Sequence, residues 1–225
     1  MIQAVIFNLD GVITASDVCH FKAWQRMAHE QGLPFDEKIS RQMAGMKRMD
    51  SLKILLKKAE RPYSPGEMWA LSARKNDLFN DQVAQLGPDA VLPGAVDTAE
   101  RLHQMGILTA VASCSENARG ILKQLKIDHL FDVIIDGGQI SAGKPDPEAF
   151  LLAARQMQMP TANCLVIENT LSGMAAAKAA GMKALGMGEA AIEKGLEFCP
   201  GSLMEMDLPE LIETGKAEEL AAQRG

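Results

Sequence analysis

Short apolar runs that stop on polar residues, each separated from the next by a helical stretch, constrain this chain more than any other feature. Ala4-Val5-Ile6-Phe7 is rich in β-formers and reads as a strand buried on both faces, breaking into Asn8, Asp10 and Gly11. The same grammar returns after Leu92-Pro93-Gly94. Residues 96–105 read as a helix, 108–112 as a strand ending in Ser113, Ser115 and Asn117, 118–125 as a helix, and 133–135 as a short strand. A helix over 147–157, a strand at 165–167 ending in Glu168 and Asn169, a helix over 172–180 and a weaker strand at 184–185 follow, and a polar helix over 209–222 is expected to close the chain. Strands spaced by helices of about ten residues imply βαβ units, and so an α/β fold with a doubly wound, Rossmann-like parallel sheet and right-handed crossovers.

One stretch departs from the alternation. Between about Ser16 and Leu86 the periodicity is helical throughout and no strand pattern appears. Ser16 or Asp17 is expected to cap a first helix carrying Phe21, Trp24, Met27 and Ala28, a second runs from Ile39 to Ala44 and breaks at Gly45, and a third starts near Asp50. Ser64-Pro65-Gly66-Glu67 predicts the start of a fourth, with Ser64 as N-cap, Pro65 at the first helical position and Glu67 completing a capping box. The expected division is a core of residues 1–15 and 88–225 with an inserted helical cap of residues 16–87.

The 225 residues suffice to bury a large core, and a net charge of -6 with a pI near 5.3 argues against nucleic acid held on a broad basic surface. A small anion in a local pocket fits that charge. No apolar run reaches the roughly 18 residues of a membrane span, so no membrane partner is expected. Cys19, Cys114, Cys164 and Cys199 form no CxxC pair and follow no secretory segment, which predicts a reduced, cytoplasmic protein, and a monomer is expected.

In a parallel sheet, ligands sit beyond the carboxyl ends of the strands. Separate strand ends or loops here deliver Asn8 with Asp10, Ser113 with Ser115 and Asn117, Lys144, and Glu168 with Asn169 to one edge. Each residue alone reads as a cap or a solvated side chain: Ser115 could cap the helix after it and Lys144 could lie on the surface. Together they suit a hard cation such as Mg²⁺ beside a phosphate.

These residues carry a resemblance to the haloacid dehalogenase superfamily, and within it to the β-phosphoglucomutase group. The motif DxDG(V/T) is matched by Asn8-Leu9-Asp10-Gly11-Val12, the strand-terminal serine by Ser113, the lysine before proline by Lys144-Pro145, and the acidic pair by Glu168-Asn169. The likeness extends through His20-Phe21-Lys22-Ala23-Trp24, Gly45 with Arg48 and Ser51, and Arg74-Lys75-Asn76-Asp77, and fades after about Gly188. It implies phosphoryl transfer on a small-molecule sugar phosphate through an aspartyl-phosphate formed at position 8, with Asp10 as general acid and base. Ser113, Lys144 and Mg²⁺ would spread the charge. By the same resemblance Mg²⁺ is held by Asn8, Asp10, Glu168 and Asn169. Ser115 and Asn117 bind phosphate or sugar, Arg48 grips a distal phosphate, and His20 with Lys75, Trp24, Gly45 and Ser51 line the cap side.

The departures are as informative. Asn8 stands at the nucleophile position, Asn169 brings an amide where the acidic pair has its second carboxylate, and Ala15 follows the motif where aspartate is common, with Ser16 keeping a hydroxyl beside it. A neutral amide is a poor nucleophile, so the covalent step is expected to fail. The resemblance therefore leaves a mutase impaired at Asn8, a phosphatase of a small phosphate ester, or a silent sugar-phosphate-binding protein. Met43, Met46 and Met49 are expected to pack the cap or its hinge, Trp24 to anchor cap to core, and Lys47 to be solvated. No role is assigned to His29, His103 or His129.

Overall fold

A computed structural model describes residues 1–188, 202–206 and 208–214. The five-stranded sheet comprises β1 (Ala4–Phe7), β2 (Leu108–Ala112), β3 (Val133–Ile135), β4 (Cys164–Glu168) and β5 (Lys183–Gly186), all parallel in the order β3-β2-β1-β4-β5. This is a Rossmann-like α/β fold. The chain winds outward on one side of β1 and then on the other, so the crevice where the order reverses lies at the carboxyl end of β1, just beyond Phe7.

β1 is buried over its whole length because helices cover both faces. Val5 and Phe7 face a cluster built with α5 (Ala95–Gln104), α6 (Ala118–Gln124) and α9 (Leu208–Thr214). Ala4 and Ile6 face a second cluster with α7 (Glu148–Gln156) and α8 (Leu171–Ala179). On that second face Ala110, Ala112, Ala149, Ala153, Ala176 and Ala177 keep the side chains short, which lets helix and sheet approach closely.

Four helices connect β1 to the rest: α1 (Ser16–Glu30), α2 (Glu37–Met43), α3 (Arg48–Leu56) and α4 (Pro65–Val83). Trp24, Met27, Met43, Leu52, Leu55 and Leu71 form a core of their own among them. Trp24 therefore packs within the helices. Ala23 of α1 with Phe79 and Val83 of α4 join the sheet's cluster instead, and they make the link expected of Trp24.

The expected capping box is present at α4, with Ser64 and Glu67 bonded reciprocally and Pro65 at its first turn. At α1 the expected cap is absent: Ser16 opens the helix, no side chain caps it, and its hydroxyl is bonded to Asp10 and Thr14 instead. α2 begins at Glu37 on an Asp36 cap, and α3 begins at Arg48. Lys47, expected to be solvated, is partly exposed, and its ammonium donates to the Ile140 carbonyl at 2.6 Å. Residues 215–222 of the expected closing helix, and Cys199, lie outside the described residues. Cys19, Cys114 and Cys164 are buried and free. Among the described residues no helix is long and apolar enough to cross a membrane.

Candidate active site

The carboxyl ends of β1, β2 and β4 meet beneath the α1–α4 helices around a cavity of about 570 Å³, and Lys144 of the loop before α7 lies behind them. Its lining includes Asn8, Asp10, His20, Trp24, Arg48, Ser113 and Asn169.

Lys144 is 2 % exposed, which rules out the surface reading. Its ammonium donates to Glu168 Oε1, to Asn8 Oδ1 at 3.0 Å and to the Ala112 carbonyl at 3.3 Å, and lies 4.8 Å from the centre of the Phe150 ring. A buried ammonium must have its protons satisfied, and these partners do so. Glu168, expected among the metal ligands, is spent differently. One oxygen takes Lys144; the other accepts from the N–H groups of Asn169 and Thr170 at 2.8 Å each and from Thr170 Oγ1 at 2.9 Å. It positions Lys144 and lies behind the cavity wall.

Asn8 is oriented by this arrangement. Lys144 is a donor only, so the amide oxygen of Asn8 must face it. The amide nitrogen then donates to the Asp10 carbonyl at 3.0 Å and to Asn169 Oδ1 at 2.9 Å. These oxygens are the ones a divalent cation would need. Turning the amide to offer its oxygen to a cation would bring N–H against the Lys144 ammonium. With asparagine at position 8 the donor set does not fit Mg²⁺.

Asp10 accepts from Ser16 Oγ at 2.5 Å and from Ser113 Oγ at 3.5 Å. Burial raises its pKa and Asp17 adds to this, against the Ser16 hydrogen bond and the charges of Lys75 and Lys144. A carboxyl so raised can hold a proton, which general acid chemistry needs. His20 Nε2 stands 3.7 Å from Asp10 Oδ1, and its ring stacks on Phe79 at 4.0 Å. Burial, then Lys75 and Arg48, push the His20 pKa well below its ordinary 6.5, so the ring is neutral and its approach to Asp10 is no ion pair. Lys75 lies 2.7 Å from His20 Nδ1, and burial, then Arg48, lower its pKa to about 7.

On the helical side Arg48 donates through Nε to Ser72 at 3.1 Å, through Nη1 to Asn76, and through Nη2 to Glu116 at 2.5 Å. Asn117 reaches Asn76 at 2.9 Å, and Ser115 Oγ accepts from the Asn117 N–H at 3.3 Å, so Ser115 shapes the loop and does not cap the helix with its side chain. Ser51 is buried and donates to the Met43 carbonyl at 3.3 Å, tying α3 to α2. Gly45, at φ +76, lies where a Cβ would come within 2.5 Å of Ser172 Oγ, so the turn presses against the start of α8. Met43 is buried in the helical core and Met46 lines the cavity.

Glu116 and Ser72 were not singled out from sequence, and Asn76 carried no role there. Glu116 sits between Ser115 and Asn117, both named, but as one acidic residue in a loop it gives no signal of facing Arg48. His103, left without a role, lies 2.9 Å from Thr109 Oγ1 and 3.2 Å from Asp132, away from this cavity.

Residues 2–181 match the family described as haloacid dehalogenase-like hydrolase. The chain is 38 % identical over 189 residues to a β-phosphoglucomutase of Bacillus subtilis, covering 83 % of this chain and 84 % of that one. It is 29 % identical over 184 residues to a phosphorylated carbohydrates phosphatase of Thermotoga maritima, covering 80 % and 82 %. A crystal structure of β-phosphoglucomutase from Clostridium difficile superposes with a TM-score of 0.89 at 30 % identity, over 99 % of this chain and all of that one.

Proposed function

The chain belongs to the haloacid dehalogenase-like hydrolase family, and from that premise we propose that it is a β-phosphoglucomutase-type protein that binds a sugar phosphate and is blocked at the covalent step by Asn8. The similar mutases and carbohydrate phosphatases support phosphoryl transfer on sugar phosphates as the chemistry of this scaffold. The finer reading is conversion of β-glucose 1-phosphate to glucose 6-phosphate through a bisphosphate. Asp10 serves as acid and base, Ser113 faces the transferring group's charge with Lys144 behind it holding Asn8, and Arg48, Ser115 and Asn117 meet the far end of the substrate. Residues 16–87 act as a cap that closes over the core of 1–15 and 88–225 and excludes water. We read the protein as a cytoplasmic monomer, the free state of the buried cysteines being in keeping with a reducing setting.

The observation that carries the block is the bonding of Asn8. Its oxygen is committed to Lys144 and its nitrogen bridges the Asp10 carbonyl and Asn169, so neither atom is a nucleophile. Loss of a nucleophile lowers turnover by a factor of order 10⁶ where this has been measured in a protease. Members of the family generally use a divalent cation. In Asn8→Asp the bridging N–H becomes a carboxylate oxygen beside two further oxygens, a hard set suited to Mg²⁺.

The test assays the chain and Asn8→Asp with Mg²⁺ on β-glucose 1-phosphate with a trace of bisphosphate, and on a generic phosphomonoester. Mutase activity in the variant alone, with calorimetric binding of sugar phosphate by the parent without Mg²⁺, is expected. Monoester hydrolysis alone would make the variant a phosphatase. Silence in both proteins would leave a sugar-phosphate-binding protein, and failure to bind as well would overturn the proposal.

A further inference from the structure

The mouth of the cavity carries a carboxylate that the sugar-phosphate reading does not use. Glu116 stands in the loop between β2 and α6, opposite Arg48 at the start of α3, and accepts from Arg48 Nη2 at 2.5 Å. Both residues line the cavity, and neither is sealed away: the Glu116 side chain is 50 % exposed and that of Arg48 is 22 %. The remaining arms of the guanidinium are held by Ser72 and Asn76, which fix its plane. The cation that would grip a distal phosphate is thus already paired with an anion of the protein. Asp17 and Glu37 add carboxylates to the same lining, and Arg41 and Lys75 add basic groups.

The two kinds of ligand that could meet this pair differ in what they can use. A sugar hydroxyl both accepts and donates, so it can take a hydrogen bond from Arg48 and give one to Glu116 with the pair intact. A phosphate dianion can use only the cation. It must either displace Glu116 into solvent or lie beside it, where like charges repel.

We propose that Glu116 is a specificity residue: by occupying Arg48 across the mouth it weakens the hold on a second phosphate, so the pocket takes sugar monophosphates in preference to sugar bisphosphates. This rests on the sugar-phosphate reading and narrows its substrate class. For a mutase it means a bisphosphate that is loosely held and readily lost; for a phosphatase it means a monoester with a hydroxylated far end.

On the reading that Asn8 blocks the covalent step, binding can be read directly. Calorimetry of the full chain and of Glu116→Gln, each with glucose 6-phosphate and with glucose 1,6-bisphosphate, is the test. The glutamine keeps the length and an oxygen for Arg48 while removing the charge. The parent should bind the monophosphate at least as tightly as the bisphosphate. The substitution should tighten bisphosphate binding by about tenfold or more and leave monophosphate binding within about threefold. Binding of both ligands with a ratio unmoved by Glu116→Gln overturns the role of Glu116 and leaves the sugar-phosphate reading standing. A parent that already prefers the bisphosphate by about tenfold does the same. No heat from either ligand with either protein, at unchanged melting temperature, overturns both.

Discussion

A single amide decides how the polar groups of this site are bonded to one another. An aspartate at position 8 would present one oxygen to Lys144 and a second to a cation. Asn8 presents an oxygen to Lys144 and a hydrogen-bond donor in place of the second, and the Asp10 carbonyl and Asn169 are satisfied by that donor. Nearby, Lys75 shows how the same surroundings act on a base. It is 2 % exposed and its pKa falls from an ordinary 10.5 to about 7, with burial the main cause. Between those values the folded protein has released a proton that the unfolded chain still holds, so this residue makes stability rise with pH from about 7 to about 10. Below about 7 both states are charged and the burial penalty is present in full. Lys75→Met should therefore stabilise most near pH 6, with the gain shrinking as pH rises toward 10, read from urea midpoints across that range. A gain independent of pH would mean that Lys75 is charged in the folded protein.

At the scale of elements, the strands and helices that were expected from pattern are those whose signals are local. The start of α4 is the clearest case: Ser64 accepts from the Glu67 N–H, and Glu67 returns the bond to Ser64. Ser64→Ala should lower stability by about 1 kcal/mol without altering ligand binding, because the cap lies on an exposed end of the helix. Denaturant unfolding beside calorimetry checks both halves. α1 shows the opposite. Ser16 has the residue type of a cap, yet its hydroxyl serves Asp10 and Thr14, so the site takes from the helix a bond that local preference would have assigned to it. α3 likewise starts at Arg48, before the expected Asp50, which brings the guanidinium to the cavity.

For the whole molecule, the question is what joins the helical unit to the sheet. Phe79 is fully buried, belongs to the cluster beneath β1, and forms the platform for the His20 ring and for Lys75. Phe79→Ala should cost about 3–5 kcal/mol and also weaken sugar-phosphate binding, since the cavity and the core share this side chain. Loss of stability with binding unchanged would show that the helices hold their position without it. Lys47 on Ile140 and Ser172 on Ala44 add polar ties between the same two parts.

The residues by themselves determined the α/β class, the run of strands and helices, the inserted helical stretch, and the convergence of Asn8, Asp10, Ser113, Lys144 and Glu168 on one edge. Each of those follows from periodicity, turn chemistry or the geometry of a parallel sheet, which act over short distances along the chain. Only the tertiary structure decided how the polar groups are spent. The orientation of Asn8 depends on Lys144, 136 residues away, and the pairing of Arg48 depends on Glu116, 68 residues away. Glu168 becomes a partner of Lys144 because both are buried together, where an unpaired charge would be too costly. Which donor meets which acceptor in a closed space is a property of the packed chain, and no local pattern carries it.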